Sequence, residues 1–137
     1  MADSVRKVQY AYVKVPNRPG QAARMLGELK KDGVDLVAFS GFPGKKGAQV
    51  DLVTHDMNGL KRVARQNGWK LSATKKGFLI QGADRIGAVE RHLAKLAERK
   101  VNVVAADAVA AGKGRYGMIL WVRPKVYAKA ARALGAR

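Results

Sequence analysis

The stretch Tyr10-Ala11-Tyr12-Val13-Lys14-Val15 mixes aromatic and β-branched positions with smaller or polar ones in partial alternation. It stops at Pro16, which cannot donate to a ladder, so the first strand ends there. From Pro19 or Gly20 to about Lys31 the apolar period lengthens, with Ala22, Ala23, Leu26 and Leu29 at helical spacing. Asn17 stands before them as a cap, and Gly33 can close the helix through a left-handed turn. Val34 to Phe42 reads as a second strand, Pro43-Gly44-Lys45-Lys46-Gly47 as a hairpin loop and Ala48 to Thr54 as a third strand. A second helix from about Met57 to Asn67 leads through Gly68 into a last strand, Trp69-Lys70-Leu71-Ser72-Ala73-Thr74. The predicted order is β-α-β-β-α-β.

The same pattern then starts again, 67 positions later and without a gap. Asn17-Arg18-Pro19-Gly20 is echoed by Asp84-Arg85-Ile86-Gly87, Arg24, Leu26 and Leu29 by Arg91, Leu93 and Leu96, Val34-Asp35-Leu36 by Val101-Asn102-Val103, and Gly47 by Gly114. A period of that length exceeds a solenoid unit and suits a small module. The second copy predicts strands over Phe78 to Gly82, Val101 to Val109 and Tyr116 to Val122. It predicts helices over Ile86 to Arg99 and Pro124 to Leu134, the proline sitting where its missing N–H costs nothing. The expected fold is therefore α+β: two ferredoxin-like βαββαβ repeats, residues 5–75 and 76–137, with antiparallel sheets and helices on one face. The second lacks its last strand, unless another segment, such as the long N-terminal strand, fills the gap.

Composition narrows the chemistry. The chain has 137 residues and no cysteine, so no disulfide framework and no thiolate chemistry. Its first residues lack the apolar core of a signal peptide and no apolar run approaches a membrane span, which predicts a soluble, cytoplasmic protein. The formal charge of +17 predicts attraction to polyanions. There is no acid between Asp56 and Asp84 and none after Asp107. Those gaps hold the second helix of each repeat, with Lys61, Arg62 and Arg65 in one and Lys125, Lys129 and Arg132 in the other. An anionic partner, RNA or an acidic protein, is the expectation for that basic helical face.

Asn17-Arg18-Pro19-Gly20, followed 18 positions later by Asp35 within Gly33-Val34-Asp35-Leu36, resembles the ACT domain, an amino-acid-sensing module of metabolic regulators, and Asp84 to Asn102 repeats that spacing. The resemblance covers nearly the whole chain as two tandem copies. Copy two departs from the pattern with Ile86 in place of proline, and copy one with Asp35 where the family often has Asn. The resemblance implies ligand sites at Asn17, Arg18, Pro19, Gly20, Asp35 and Leu36, and at Asp84, Arg85, Ile86, Gly87, Asn102 and Val103. The chemistry is sound on its own terms. A loop opening a helix offers bare N–H groups to a carboxylate, a glycine lets the ligand approach the backbone, and the oxygen of Asn17 or Asp84 can accept from an ammonium. The implied role is a regulatory sensor of a free amino acid or related metabolite. It would act on a partner in trans, with no enzyme activity, no metal and no cofactor, and as a homodimer, because unpaired sheet edges invite association.

Two other readings use the same residues. Asn17 and Asp84 can serve only as helix N-caps, with Gly20 and Gly87 packing helix on sheet. Alternatively, Gly114-Arg115-Tyr116-Gly117-Met118-Ile119-Leu120-Trp121 is similar to the third-strand signature of RNA-recognition motifs. Phe78 lies on the first strand of the same copy, and Tyr116 or Trp121 would stack on bases. His55 and His92 occupy different positions of the two repeats and read as surface or partly buried side chains, and Gly41 to Gly47 as a hairpin instead of a phosphate cradle.

Overall fold

The structure is a computed structural model and describes residues 3–137. In chain order the elements are β1 (Ser4–Val15), α1 (Gln21–Lys31), β2 (Ala38–Pro43), β3 (Ala48–Thr54), α2 (Met57–Asn67), β4 (Lys75–Ala83), α3 (Glu90–Glu98), β5 (Val103–Gly112), β6 (Arg115–Val122), a 3₁₀ turn (Pro124–Val126) and α4 (Tyr127–Leu134). The chain forms two compact units. One is Gln9–Lys75, and the other is Lys76–Arg137 together with the N-terminal segment through Val8.

In the first unit the strand order is β2-β3-β1, both pairs antiparallel, with Val13 opposite Val50 and Phe39 opposite Leu52. Ala11, Val13, Val50 and Leu52 point from one sheet face into a core closed by Met25 and Leu29 of α1 and Leu60 and Val63 of α2. The buried face of α1 runs through Met25 and Leu29, while Ala23 is exposed. The strand expected over Trp69 to Thr74 is reduced to one bridge, Leu71 opposite Val13. Its ladder stops because the Tyr12 N–H donates to the Ser72 hydroxyl (2.9 Å) where an extended strand would offer a carbonyl. The second strand begins at Ala38, four residues later than expected, after an irregular run in which the Asp35 carbonyl accepts from the Thr54 hydroxyl (2.7 Å).

In the second unit the order is β1-β4-β6-β5. Phe78, Ile80, Met118 and Leu120 alternate onto the face covered by Leu96 of α3 and Tyr127, Ala130 and Leu134 of α4, and Phe78 stacks on Tyr127 at 4.5 Å. The early half of β1 takes the edge beside β4, so it fills the place of the strand this repeat lacks in sequence, and Val5 enters the core. Arg137 runs alongside it, its N–H donating to Val5 and its carbonyl accepting from the Lys7 N–H. The helix expected from Ile86 begins only at Glu90, because Gly87 at φ 80° breaks the helical path and tight i to i+3 bonds follow it. Likewise the helix expected from Pro124 starts as the 3₁₀ turn and becomes α-helical at Tyr127.

The repeat is written in the backbone as well as in the letters. The left-handed residues of the first copy, Gly20, Gly33, Gly47 and Gly68, are matched at the same offset by Gly87, Lys100, Gly114 and Gly135. At Gly47 the requirement is also steric, since a Cβ there would meet the carbonyl oxygen of Val15.

Candidate functional site

The turn that opens each repeat's first helix is the place to test the capping reading, and the structure overturns it. The N-cap positions of α1 and α3 are Gly20 and Val89, neither with a side-chain cap. Asn17 and Asp84 are exposed, and among the described residues their side chains accept no hydrogen bond. By contrast α2 is capped in the ordinary way, Asp56 Oδ1 accepting from the Gly59 N–H (2.9 Å). The acceptor oxygens of Asn17 and Asp84 are therefore available to a guest.

In the second unit a pocket of about 280 Å³ lies over this turn. Asp84, Arg85, Gly87, Ala88, Val89 and Glu90 supply one wall, and Ala108, Val109 and Ala110 of β5 with Tyr116 of β6 the other. The Asp84 N–H is used by the Gly114 carbonyl (2.8 Å), which pins the turn to the β5–β6 hairpin. Among the described residues the N–H groups of Arg85, Ile86 and Gly87 have no backbone partner. Ile86 lines none of this and is fully exposed. In the first unit Asn17 and Arg18 border an open cleft of about 610 Å³ with Lys14, Val15, Pro16, Lys46 and Gly47. Asp35 and Leu36 border a different one, of about 390 Å³, with Leu26, Leu29, Lys30, Gly33 and Val34. Pro19 and Gly20 line neither, and Asn102 and Val103 lie outside the second unit's pocket.

A physical reason separates the two halves of each expected set. The Asn17 turn precedes α1 and Asp35 follows it, and an 11-residue helix is about 16 Å long. Within one repeat, the turn and the start of the second strand stand at opposite ends of that rod. Asp35 Oδ1 instead accepts from the N–H of Leu36 (3.0 Å).

Sequence reasoning missed the polar cluster beneath the second unit's pocket. The Asp3 carboxylate, 3% exposed, gathers three donors on Oδ2: the Tyr116 hydroxyl at 2.5 Å, His92 Nε2 at 2.7 Å and Arg91 Nη2 at 2.5 Å. His92, expected at the surface or only partly buried, is 2% exposed. Burial pushes the Asp3 carboxyl up, but the hydrogen bonds from Tyr116, His92 and Arg91 and the Arg91 charge outweigh it, leaving it at about 2. Burial, and then the hydrogen bond to and charge of Asp3, push the Tyr116 hydroxyl up to about 12. Facing the Asp3 carboxylate, which can only accept, His92 Nε2 is the donor of this pair. The signal was present in the offset: His92 occupies the position of Met25, a core slot, and a histidine there demands a buried partner.

The aromatics of the RNA reading belong to the interior. Phe78, Tyr116 and Trp121 are all buried, Phe78 against Tyr127 and Tyr116 on Asp3, so they form no stacking platform. Among the described residues no group of three His, Asp or Glu side chains is placed to hold a metal ion, and no helix is long and apolar enough to cross a membrane.

By sequence the chain matches no family model and no curated protein. By structure it is similar to protein BT0572 of Bacteroides thetaiotaomicron, with a TM-score of 0.75 and 16% identity over 97% of this chain and 88% of that one. It is also similar to the ligand-free regulatory subunit of aspartate kinase from Thermus thermophilus (TM-score 0.62, 18% identity, 98% and 95% covered) and that of Thermus flavus (0.58, 20%, 98% and 94%). The chain shares the ACT-like fold of these regulatory domains: α+β, with two ferredoxin-like repeats.

Proposed function

We propose that this chain is a regulatory module that binds a free amino acid or a closely related metabolite at the Asp84 turn and passes the signal to a partner in trans. The observation that carries the reading is the pocket over that turn, where an uncapped carboxylate and unpartnered N–H groups converge. The ligand's ammonium meets Asp84, with Glu90 nearby, while its carboxylate meets Arg85 and the bare amides that follow. Its side chain lies against Ala88, Val89 and the β5 residues Ala108 to Ala110. Each charge-assisted bond contributes about 1.5–3 kcal/mol, so two or three give micromolar to millimolar affinity. Asn17 and Arg18 border a second, more open cleft in the other copy, one poorer in free amides because the Arg18 N–H donates to the Pro16 carbonyl and Pro19 has none. The module works as a homodimer joined through exposed strand edges.

Calorimetry against the twenty amino acids tests this. One or a few are expected to release heat, with affinity reduced at least about tenfold by Asp84→Ala. A response unchanged by Asp84→Ala and lost in Asn17→Ala moves the site to the first copy, and no heat with any amino acid removes the proposal.

A further inference from the structure

The outer surface of the 3₁₀ turn and α4 is a cationic ridge that ligand sensing does not use. The helix buries Tyr127, Ala130, Ala131 and Leu134, which leaves Lys125, Lys129 and Arg132 exposed at spacings of four and three residues, on one stripe, with Arg123 just before them. Among the described residues none of these four is in an ion pair, and no acid follows Asp107 in the chain. The corresponding helix of the other copy differs: Arg62 of α2 is held at 3.2 Å by Asp32, and Asp56 caps that helix. Packed beside α4, α3 brings two acids, Glu90 and Glu98, but exposes Lys95 and is followed by Arg99 and Lys100, so the helical layer of this unit stays positive.

We infer that this ridge binds the phosphate backbone of a nucleic-acid duplex without reading its sequence. Three features of the surface select that partner. Lys125 to Arg132 spans about 10 Å of helix, the length over which one strand of a duplex presents about three phosphates. None of the large apolar side chains exposed elsewhere in the chain lies on this stretch, so it has no wedge to sink into a lipid surface and no anchor for a protein interface. It also exposes no aromatic ring, and single strands are held mainly by stacking on such rings. What remains is charge alone, which is enough for duplex phosphates. The contact is independent of the amino-acid pocket, so the two readings stand or fall separately.

The test is fluorescence anisotropy of the full chain with labelled 20-base-pair duplexes of mixed sequence, one DNA and one RNA, over a salt series. Binding is expected to persist at 150 mM salt, and the duplex held to the higher salt names the source. Replacing Lys125, Lys129 and Arg132 together by Gln is expected to weaken affinity at least about tenfold and to reduce the salt slope by about two to three, near 0.9 for each lost phosphate contact. The control replaces Lys61, Arg65 and Lys70 by Gln, an equal loss of charge in the other unit; all six positions are exposed, so neither variant disturbs the core. An equal effect from the control shows that only total charge matters and overturns the inference. So does an absence of binding at 150 mM salt, or phosphatidylserine vesicles that retain the protein as strongly and lose it equally in the ridge variant.

Discussion

Asp3 is the residue on which the second unit's polar interior turns, because one carboxylate oxygen answers Tyr116, His92 and Arg91 at once. Its carboxyl lies at about 2 when folded against 3.8 when free, so it stabilises the fold above about pH 4, and that contribution is lost as pH falls toward 2. At about 1.36 kcal/mol per unit the shift amounts to about 2 kcal/mol. Asp3→Asn is expected to lower the urea-unfolding free energy at pH 7 by about that amount and to flatten its decline between pH 4 and pH 2. An unchanged acid limb would show that Asp3 is not the group responsible. Tyr116 has the opposite sign: raised to about 12, it contributes below about pH 10 and loses that contribution as pH rises toward 12. Gly82 is bound to the same cluster, since a Cβ there would fall on the Asp3 carboxylate. Gly82→Ala should therefore cost about 1–3 kcal/mol in the native background and markedly less beside Asp3→Ala, a coupling that a double-mutant cycle measures directly.

Among the elements, β1 has the most to explain, because its early half completes one unit and its later half belongs to the other. The sequence showed strand character only from Tyr10, where aromatic and β-branched residues gather. Before it, four of the six residues from Ser4 to Gln9 are charged or polar, and the segment owes its extended form to the open edge of β4, a tertiary partner that no local period reveals. The helices and the β2–β3 and β5–β6 hairpins were legible because their periods and glycines are local. The loss of the strand at Trp69 to Thr74 was not, because it depends on Ser72 meeting Tyr12 across the sheet. The site was legible to the same extent: the turns could be read, but not that α1 holds Asn17 and Asp35 apart, nor that Asp3 lies beneath Tyr116. A chain beginning at Gln9 loses Asp3 from the cluster, Val5 from the core and the strand beside β4, a deficit of at least about 4 kcal/mol. Hydrogen exchange of that variant should show protection falling in β4, α3 and β6 while β2 and β3 keep theirs. Uniform loss would mean that the early half of β1 supports both units equally.

For the whole molecule, net charge and strand edges work against each other. A charge of +17 makes two copies repel, yet β5 offers its partners a ten-residue edge, exposed from Val104 to Gly112, whose only charge is Asp107. The proposed homodimer therefore has short-range strand pairing and apolar contact in its favour, opposed by a long-range term that salt screens over about 10 Å at 0.1 M. Added salt should tighten self-association while it weakens attraction to polyanions, so the two behaviours separate in one titration. Val104 projects from this edge at 57% exposure and lies outside the amino-acid pocket, so a change there leaves that site intact. Val104→Lys places a charge at the seam and adds to the repulsion. In sedimentation equilibrium it is expected to weaken the dimer at least about tenfold, with the dimer constant of the unaltered chain rising between 50 and 300 mM salt. A dimer indifferent to Val104→Lys, or one that dissociates as salt rises, would place the contact on charged surface elsewhere and remove β5 from the assembly.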